Sequence, residues 1–101
     1  MTKLKFTGDI NIQEILNNNQ LQIYNTMLES IKSSYHDTTI DSVHIIDISI
    51  NDFNHSIKLS RQKFIKALNQ ALKSYEDIEA YEKCQECLNI INYLKKNTNE
   101  F

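Results

Sequence analysis

The chain has 101 residues, of which 41% are hydrophobic and 24% are charged, and it contains one glycine and no proline. This length suits one domain that buries a core without support from a metal ion or a disulfide. Lys and Arg together number 11 and Asp and Glu number 13, so the formal net charge is -2 with neutral histidines. This balance argues against a general nucleic-acid or membrane-surface binder, because both need a strongly basic surface.

Composition excludes two further classes of protein. A single glycine, Gly8, cannot form the glycine-rich loop that holds phosphates, which excludes P-loop and dinucleotide-binding folds. No apolar stretch reaches the ~20 residues that span a bilayer, and the first residues lack the apolar core of a signal peptide. We therefore expect a cytoplasmic protein without a membrane partner.

The first 35 residues predict a strand followed by two helices. Residues 3–6 alternate polar and apolar side chains, as a short strand does. Asn11 followed by Glu14 predicts a capping box at the start of a short helix, and the three asparagines at 17–19 predict a break after it. Apolar side chains then repeat at helical spacing over residues 21–35, which predicts a longer helix.

The next segment predicts a β-hairpin. Residues 42–50 contain five β-branched apolar side chains, too many for a loop in a segment too short for a helix. Strict alternation predicts that the even-numbered positions 44–50 face the core and that the odd-numbered positions 43–49 form a mixed face. Residues 51–54 predict a four-residue loop, and residues 56–59 predict the returning strand.

The C-terminal part predicts two antiparallel helices. Apolar stripes over residues 61–76 and 81–96 are separated by about three residues, Asp77-Ile78-Glu79, a short connection typical of an αα-hairpin. The predicted fold class is α+β, with a small antiparallel sheet built from hairpin 42–59 and an N-terminal strand. The sheet is expected to pack against the N-terminal helix and the αα-hairpin. The predicted domain covers residues 1–96, and residues 97–101 are predicted to be a flexible tail.

The segment 79–86 reads Glu-Ala-Tyr-Glu-Lys-Cys-Gln-Glu. With the rest of residues 68–94 it resembles the UVR helical hairpin, a motif of nucleotide-excision-repair proteins and of adaptors of bacterial Clp proteases. The positions that match this motif by type are Tyr81, Glu82, Lys83, Glu86 and Ile91. Leu88 and Asn89 replace its usual Arg and Asp, so the charges behind the family's intermolecular salt bridges are missing. The resemblance covers about a quarter of the chain and implies protein–protein association.

Cys84 and Cys87 form a single Cys-x-x-Cys pair. A zinc site needs more ligands than two, and the histidines lie far upstream without paired spacing. A redox pair opens a helix, whereas this pair falls inside a helical pattern. We therefore predict two small core residues one turn apart, with no metal ion bound.

The histidines do not form a recognisable catalytic set. His44 and His55 could face each other across the hairpin, and Asp47 or Asp52 nearby would allow general acid–base chemistry. The alternative is that both histidines lie in a polar rim, which fits the absence of Ser-His-Asp spacing and of any cofactor signature. We expect no catalytic residue and no cofactor.

Charge is segregated along the helical hairpin. Basic residues come first, at Lys58, Arg61, Lys63, Lys66 and Lys73. An acidic cluster follows them, at Glu76, Asp77, Glu79 and Glu82. Such segregation can orient a protein on a complementary partner, although it is also common on a solvated helix face. A single arginine and a negative net charge disfavour nucleic acid as the partner.

We expect a non-enzymatic module that binds another protein through the αα-hairpin, because this segment combines tyrosines with charged residues. The predicted site residues are Tyr81 as the anchor, Glu79, Glu82 and Lys66 as its rim, and Tyr75. Tyr81 also fits an apolar stripe, so packing inside the hairpin is the alternative. Tyr75, Tyr81 and Tyr93, all near the αα-hairpin, further predict a homodimer, because tyrosine is favoured at interfaces.

Three roles fit this reading. The first is an inhibitor, encoded by a phage or mobile element, that occupies a surface of a larger bacterial protein such as a defence nuclease. The second is an adaptor or assembly subunit acting through its helical hairpin. The third is a nucleic-acid-binding regulator, which a steep salt dependence of binding would distinguish from the other two.

Overall fold

A computed structural model describes residues 3–97 of the chain. The helices and strands within this range are β1 (Lys3–Phe6), α1 (Ile12–Asn18), α2 (Gln20–Ser34), β2 (Ser42–Ile50), β3 (Phe53–Ser60), α3 (Phe64–Asp77) and α4 (Tyr81–Lys96). A 3-10 turn at Arg61–Lys63 leads into α3. The predicted α+β fold class is confirmed. Most of the predicted tail, residues 98–101, lies outside the described residues.

The sheet has the strand order β1-β2-β3. β1 pairs with β2 in parallel, with Leu4 opposite Ile48, and β3 returns antiparallel to β2. A parallel pair needs a long crossover connection, which α1 and α2 supply between the two strands. β1 thus joins the hairpin in parallel, so the sheet is mixed and not antiparallel throughout as predicted.

The β2–β3 turn is shorter than predicted. Asn51 and Asp52 form it alone, with φ angles of 49° and 68°. Positive φ at both central residues suits a two-residue hairpin turn, and Asn and Asp tolerate that conformation. Phe53 already belongs to β3, opposite Ile50. The Asn51 side chain also binds the β1–α1 loop, with its Nδ2 donating to the Gly8 carbonyl and its Oδ1 accepting from the Gly8 amide, both at 2.9 Å.

A β-bulge changes which side chains of β2 face the core. The register shifts between His44 and Ile46, which leaves Ile45 without a directly paired residue on β3. Val43, Ile45, Ile46 and Ile48 are all buried. The prediction for Ile46 and Ile48 is confirmed. The assignment of Val43 and Ile45 to the mixed face was wrong, because strict alternation does not hold across a bulge.

The helices bury their apolar stripes against this side of the sheet in one core cluster. Phe64 and Tyr75 of α3 are among its largest completely buried side chains. At the other end of the chain, Asn11 caps α1 as predicted, since its Oδ1 accepts from the Glu14 amide at 2.9 Å. Asn19 lies between α1 and α2, as the asparagine run predicts.

Arg61, the only arginine in the sequence, ties the start of the helical hairpin to the end of α2. Its guanidinium donates to four backbone carbonyl oxygens. They belong to Ser34, Tyr35, Asp37 and Ile40. The carbonyl groups at a helix C-terminus lack partners and carry partial negative charge, so a cation there is stabilising. The same guanidinium lies 5.3 Å from the centroid of the Phe64 ring.

We predict that Arg61→Met lowers the free energy of unfolding by about 2–4 kcal/mol, because several charge-assisted hydrogen bonds are lost at once. Urea denaturation followed by circular dichroism measures the loss. Lys63→Met removes an exposed cation two residues away and should cost less than about 0.5 kcal/mol. Equal costs for the two variants would contradict this role of Arg61.

Candidate partner-binding surface

α3 and α4 form the predicted helical hairpin, and its connection is tightly organised. The Ala80 amide donates to the Tyr75 carbonyl at 2.9 Å, and the Glu79 amide donates to the Glu76 carbonyl at 3.1 Å. Glu79 adopts a left-handed conformation with φ of 59°. Glycine is the usual residue at this position after a helix, and other residues are strained there.

The structure brings most of the predicted site together at this connection. Tyr81 begins α4 and is 67% exposed, and Ile78 in the connection is 53% exposed. Glu79 and Glu82, the predicted rim, are both exposed beside them in the chain. Lys66 is exposed as well, but it precedes the end of α3 by about ten residues, which places it roughly 15 Å along the helix axis.

Tyr75 does not belong to this surface. Its side chain is completely buried, and its hydroxyl donates to the Asn25 Oδ1 at 2.7 Å, which joins α3 to α2. Burial, with a smaller contribution from nearby Cys87, raises the pKa of the Tyr75 phenol far above its usual value. The prediction that Tyr75 contacts a partner was therefore wrong. Tyr75 continues the inward-facing stripe that starts at Phe64.

The exposed side of the hairpin, here called the outer hairpin face, consists of one row of residues from each helix. In α3 and the turn before it the row is Gln62, Lys66, Asn69, Lys73 and Glu76. In α4 the row is Tyr81, Gln85, Leu88, Asn92 and Lys95. Spacings of three and four residues place each row on one side of its helix, and all ten residues are exposed.

A groove of about 850 Å³ runs along the outer hairpin face from the turn before α3 to Lys73. We call it the lysine groove. The residues that line it are Gln62, Ile65, Lys66, Asn69, Gln70, Lys73 and Lys95. Its surface is mostly apolar, because Ile65 and the aliphatic stems of the lysines contribute carbon atoms while the ammonium groups stay in water.

The two ends of the hairpin, counting residues on and next to the outer hairpin face, carry opposite charge. The acidic end consists of Glu76, Asp77, Glu79 and Glu82. The basic end consists of Lys63, Lys66, Lys95 and Lys96, and Lys73 lies between the two ends, one turn before Glu76. Within residues 3–97 the ion pairs join Lys32 to Glu29 and Glu86, and His44 to Asp47. The charged residues at both ends are exposed, and none of them forms an ion pair with another of residues 3–97.

The histidine arrangement differs from the predicted one. His44 lies opposite Lys58, and His55 lies opposite Ile48, so the two histidines do not face each other. His44 Nε2 instead contacts Asp47 Oδ1 at 2.8 Å, and the Ser56 hydroxyl donates to the same oxygen at 2.8 Å. The Ser56 and His44 hydrogen bonds lower the pKa of Asp47. The Ser56 hydroxyl therefore binds the Asp47 carboxylate and not the His44 imidazole.

Cys84 and Cys87 are buried, free thiols in the hairpin core, as predicted. Burial raises the pKa of the Cys84 thiol, and it raises the pKa of Cys87 to about 11. No group of three or more His, Cys, Asp or Glu side chains within residues 3–97 is arranged to hold a metal ion. None of the helices described is long and apolar enough to cross a membrane.

No protein-family model, curated protein or solved structure matches this chain. The resemblance of residues 68–94 to the UVR hairpin therefore stays a prediction. What the structure adds is the hairpin itself, with an exposed aromatic side chain at the position of the family's aromatic residue, Tyr81.

Four exposed apolar side chains were not predicted as surface residues, and one of them is Leu21 in the first turn of α2, which is 42% exposed. Ile78 lies among acidic residues in the connection. Its separation from other apolar residues in the sequence could have indicated that it is exposed. Leu88, 39% exposed, shares the outer row with Tyr81, but the sequence stripe grouped it with buried neighbours. Phe53, 73% exposed, follows the hairpin turn, and only the correct turn length would have placed it at the start of a strand.

We predict that both cysteines resist thiol reagents in the folded protein at pH 8. With a pKa near 11 for Cys87, roughly one thiol in a thousand is in the reactive thiolate form, and burial also blocks the reagent. Absorbance of the released aromatic thiolate after addition of a disulfide reagent measures the rate. Protein unfolded in urea should react at two thiols per chain, and equally fast reaction of the folded protein would contradict the buried positions.

Proposed function

We propose that this chain is a non-enzymatic protein-binding module that contacts its partner through the outer hairpin face. The observation that carries the proposal is the exposure of Tyr81 and Ile78, at 67% and 53%, within four residues of each other. Large apolar side chains exposed together on a small protein are typical of interaction sites. Tyrosine is enriched among the residues that dominate binding energy, because it joins a large apolar area to a hydroxyl.

The backbone at Glu79 supports the same surface. A left-handed non-glycine residue costs about 1–2 kcal/mol, and glycine would remove that cost. Glu79 is therefore less favourable for folding than glycine would be, but it adds a carboxylate between Ile78 and Tyr81 in the chain. Strain of this kind is characteristic of functional positions.

The chemistry of the surface indicates what it binds. Its apolar anchors are close in sequence to four exposed carboxylates that form no ion pair within residues 3–97, so a complementary surface has an apolar pocket rimmed by Lys or Arg. An inhibitor that covers the basic groove of a larger bacterial protein, such as a phage-encoded inhibitor of a defence nuclease, fits this chemistry. An adaptor or assembly subunit acting through the same helical hairpin is the alternative.

The test compares three immobilised baits: the unchanged chain, Tyr81→Ala and the matched control Phe53→Ala. Phe53 is an equally exposed aromatic residue, but it lies at the β2–β3 turn. A protein retained by the unchanged chain is then purified, and its affinity for each bait is measured by titration calorimetry. We expect Tyr81→Ala to weaken binding by more than about 1 kcal/mol, roughly fivefold, because the anchor is lost.

Thermal unfolding serves as the stability control for the same variants. Tyr81→Ala should leave the Tm nearly unchanged, since the side chain is mostly in solvent. If Tyr81→Ala binds as tightly as the unchanged chain while Phe53→Ala does not, the binding surface is elsewhere and the proposal fails. Loss of binding in step with loss of stability would also contradict it.

A further inference from the structure

We propose that the outer hairpin face binds a second copy of this chain, with the acidic end of each hairpin against the lysine groove of the other. This inference rests on the proposed function in its form as an assembly subunit, because it names a second copy as the partner that contacts the same face. The copies would be related by a two-fold axis that lies in the plane of the interface and runs perpendicular to the helix axes. Such an axis reverses the direction of the hairpin, so one kind of contact forms twice.

The charges of α3 are the first line of support. Lys63 and Lys66 stand at its start and Glu76 and Asp77 at its end, with no acidic residue in the first turn and no basic residue in the last. The helix dipole favours the opposite arrangement. α4 follows the dipole, with Glu82 in its first turn and basic residues in its last. The charge order of α3 is thus unfavourable to the helix that carries it.

The antiparallel packing of the two helices makes this order more unfavourable. Because α4 follows its dipole and α3 does not, like charges collect at each end of the hairpin. Glu82 joins Glu76 and Asp77 at one end, while Lys95 joins Lys66 at the other. A reversed second copy would place opposite charges against each end, and these attractions would offset the repulsions within each hairpin. Features that oppose local preferences in this way are expected at functional surfaces.

The shapes of the two ends are also complementary. At the acidic end Tyr81 protrudes, and at the basic end the lysine groove offers about 850 Å³ of mostly apolar space. A tyrosine ring in this groove would contact Ile65 and the lysine stems, and the ammonium groups lie within reach for cation–π attraction. Leu88 occupies the middle of the α4 row and is 39% exposed, which places it near the axis, opposite its own copy.

A second copy fits this face better than other occupants. A protein with a basic surface would use only the acidic end, and a nucleic acid would use only the basic end. A reversed copy uses both ends and both apolar features at once. The acidic end with Tyr81 is therefore complementary in charge and shape to the lysine groove of an identical chain.

The experiment uses charge reversal at Lys66 and Glu76, which are both exposed. Sedimentation equilibrium of the full chain at about 1–300 µM covers the range of micromolar dissociation constants. The unchanged chain should shift from 11.9 kDa toward twice that mass. Lys66→Glu and Glu76→Lys should each weaken self-association at least tenfold, because two repulsive contacts replace two attractive ones.

An equimolar mixture of these two variants should associate as tightly as the unchanged chain. In the mixed pair the two reversed charges meet each other, and the two native charges meet each other. The double variant Lys66→Glu with Glu76→Lys should self-associate for the same reason. Lys58→Glu reverses an exposed lysine on β3 and should leave association unchanged.

A stability measurement separates this result from misfolding. At low concentration each single reversal should raise the Tm, by about 1–5 °C, because the new charge suits the dipole of α3. The inference is overturned if the unchanged chain stays monomeric at 300 µM, if association survives both single reversals, or if the mixture fails to associate. A monomer whose capture of another protein still depends on Tyr81 would overturn the inference and leave the proposed function standing.

Discussion

The contact on which the rest of the structure depends is the Arg61 guanidinium against four carbonyl oxygens at and after the end of α2. It holds the junction between β3 and α3 at the C-terminus of α2. Near the other end of α3, the Tyr75 hydroxyl binds Asn25 of α2. With both ends attached to α2, the inner stripe of α3 has one orientation in the core. The polar row of α3, and α4 packed beside it, must then face solvent, which is how the outer hairpin face arises.

Local patterns predicted much of the fold, because they act over a few residues. The bounds of β2, the Asn11 cap and the break at the asparagines follow from β-branched density, capping chemistry and helix propensity. Features that depend on distant residues could not be predicted. The bulge at Ile45 depends on the register with β3, and the parallel pairing of β1 depends on how α1 and α2 cross over. Arg61 gives no local signal that its partners are carbonyl groups 21 to 27 residues earlier.

In the candidate site as well, local patterns predicted some features and missed those that depend on how distant residues pack. Tyr75 and Tyr81 each fit an apolar stripe in the sequence, yet one is completely buried and the other is mostly exposed. The stripe in α4 combined two sides of the helix, since Cys84 and Ile91 face the core while Tyr81 and Leu88 face outward. Net charge also conceals the arrangement that matters. The net charge of -2 is the sum over a hairpin with one acidic end and one basic end and over the rest of the chain. Only the antiparallel packing of α3 and α4 shows that the charges are separated in this way. The residues that oppose folding preferences, Glu79 and the terminal charges of α3, all lie on this one face.

The central claim is that Tyr81 and the end charges of the hairpin are placed for association and not for folding. Photo-crosslinking tests it most directly, with benzoylphenylalanine in place of Tyr81 in a mixture of isotopically light and heavy chains. The account predicts crosslinks between light and heavy chains, located by mass spectrometry in the peptides that contain residues 62–73 or Lys95. Crosslinks confined to one chain, or directed to the β-sheet of the second copy, would contradict it.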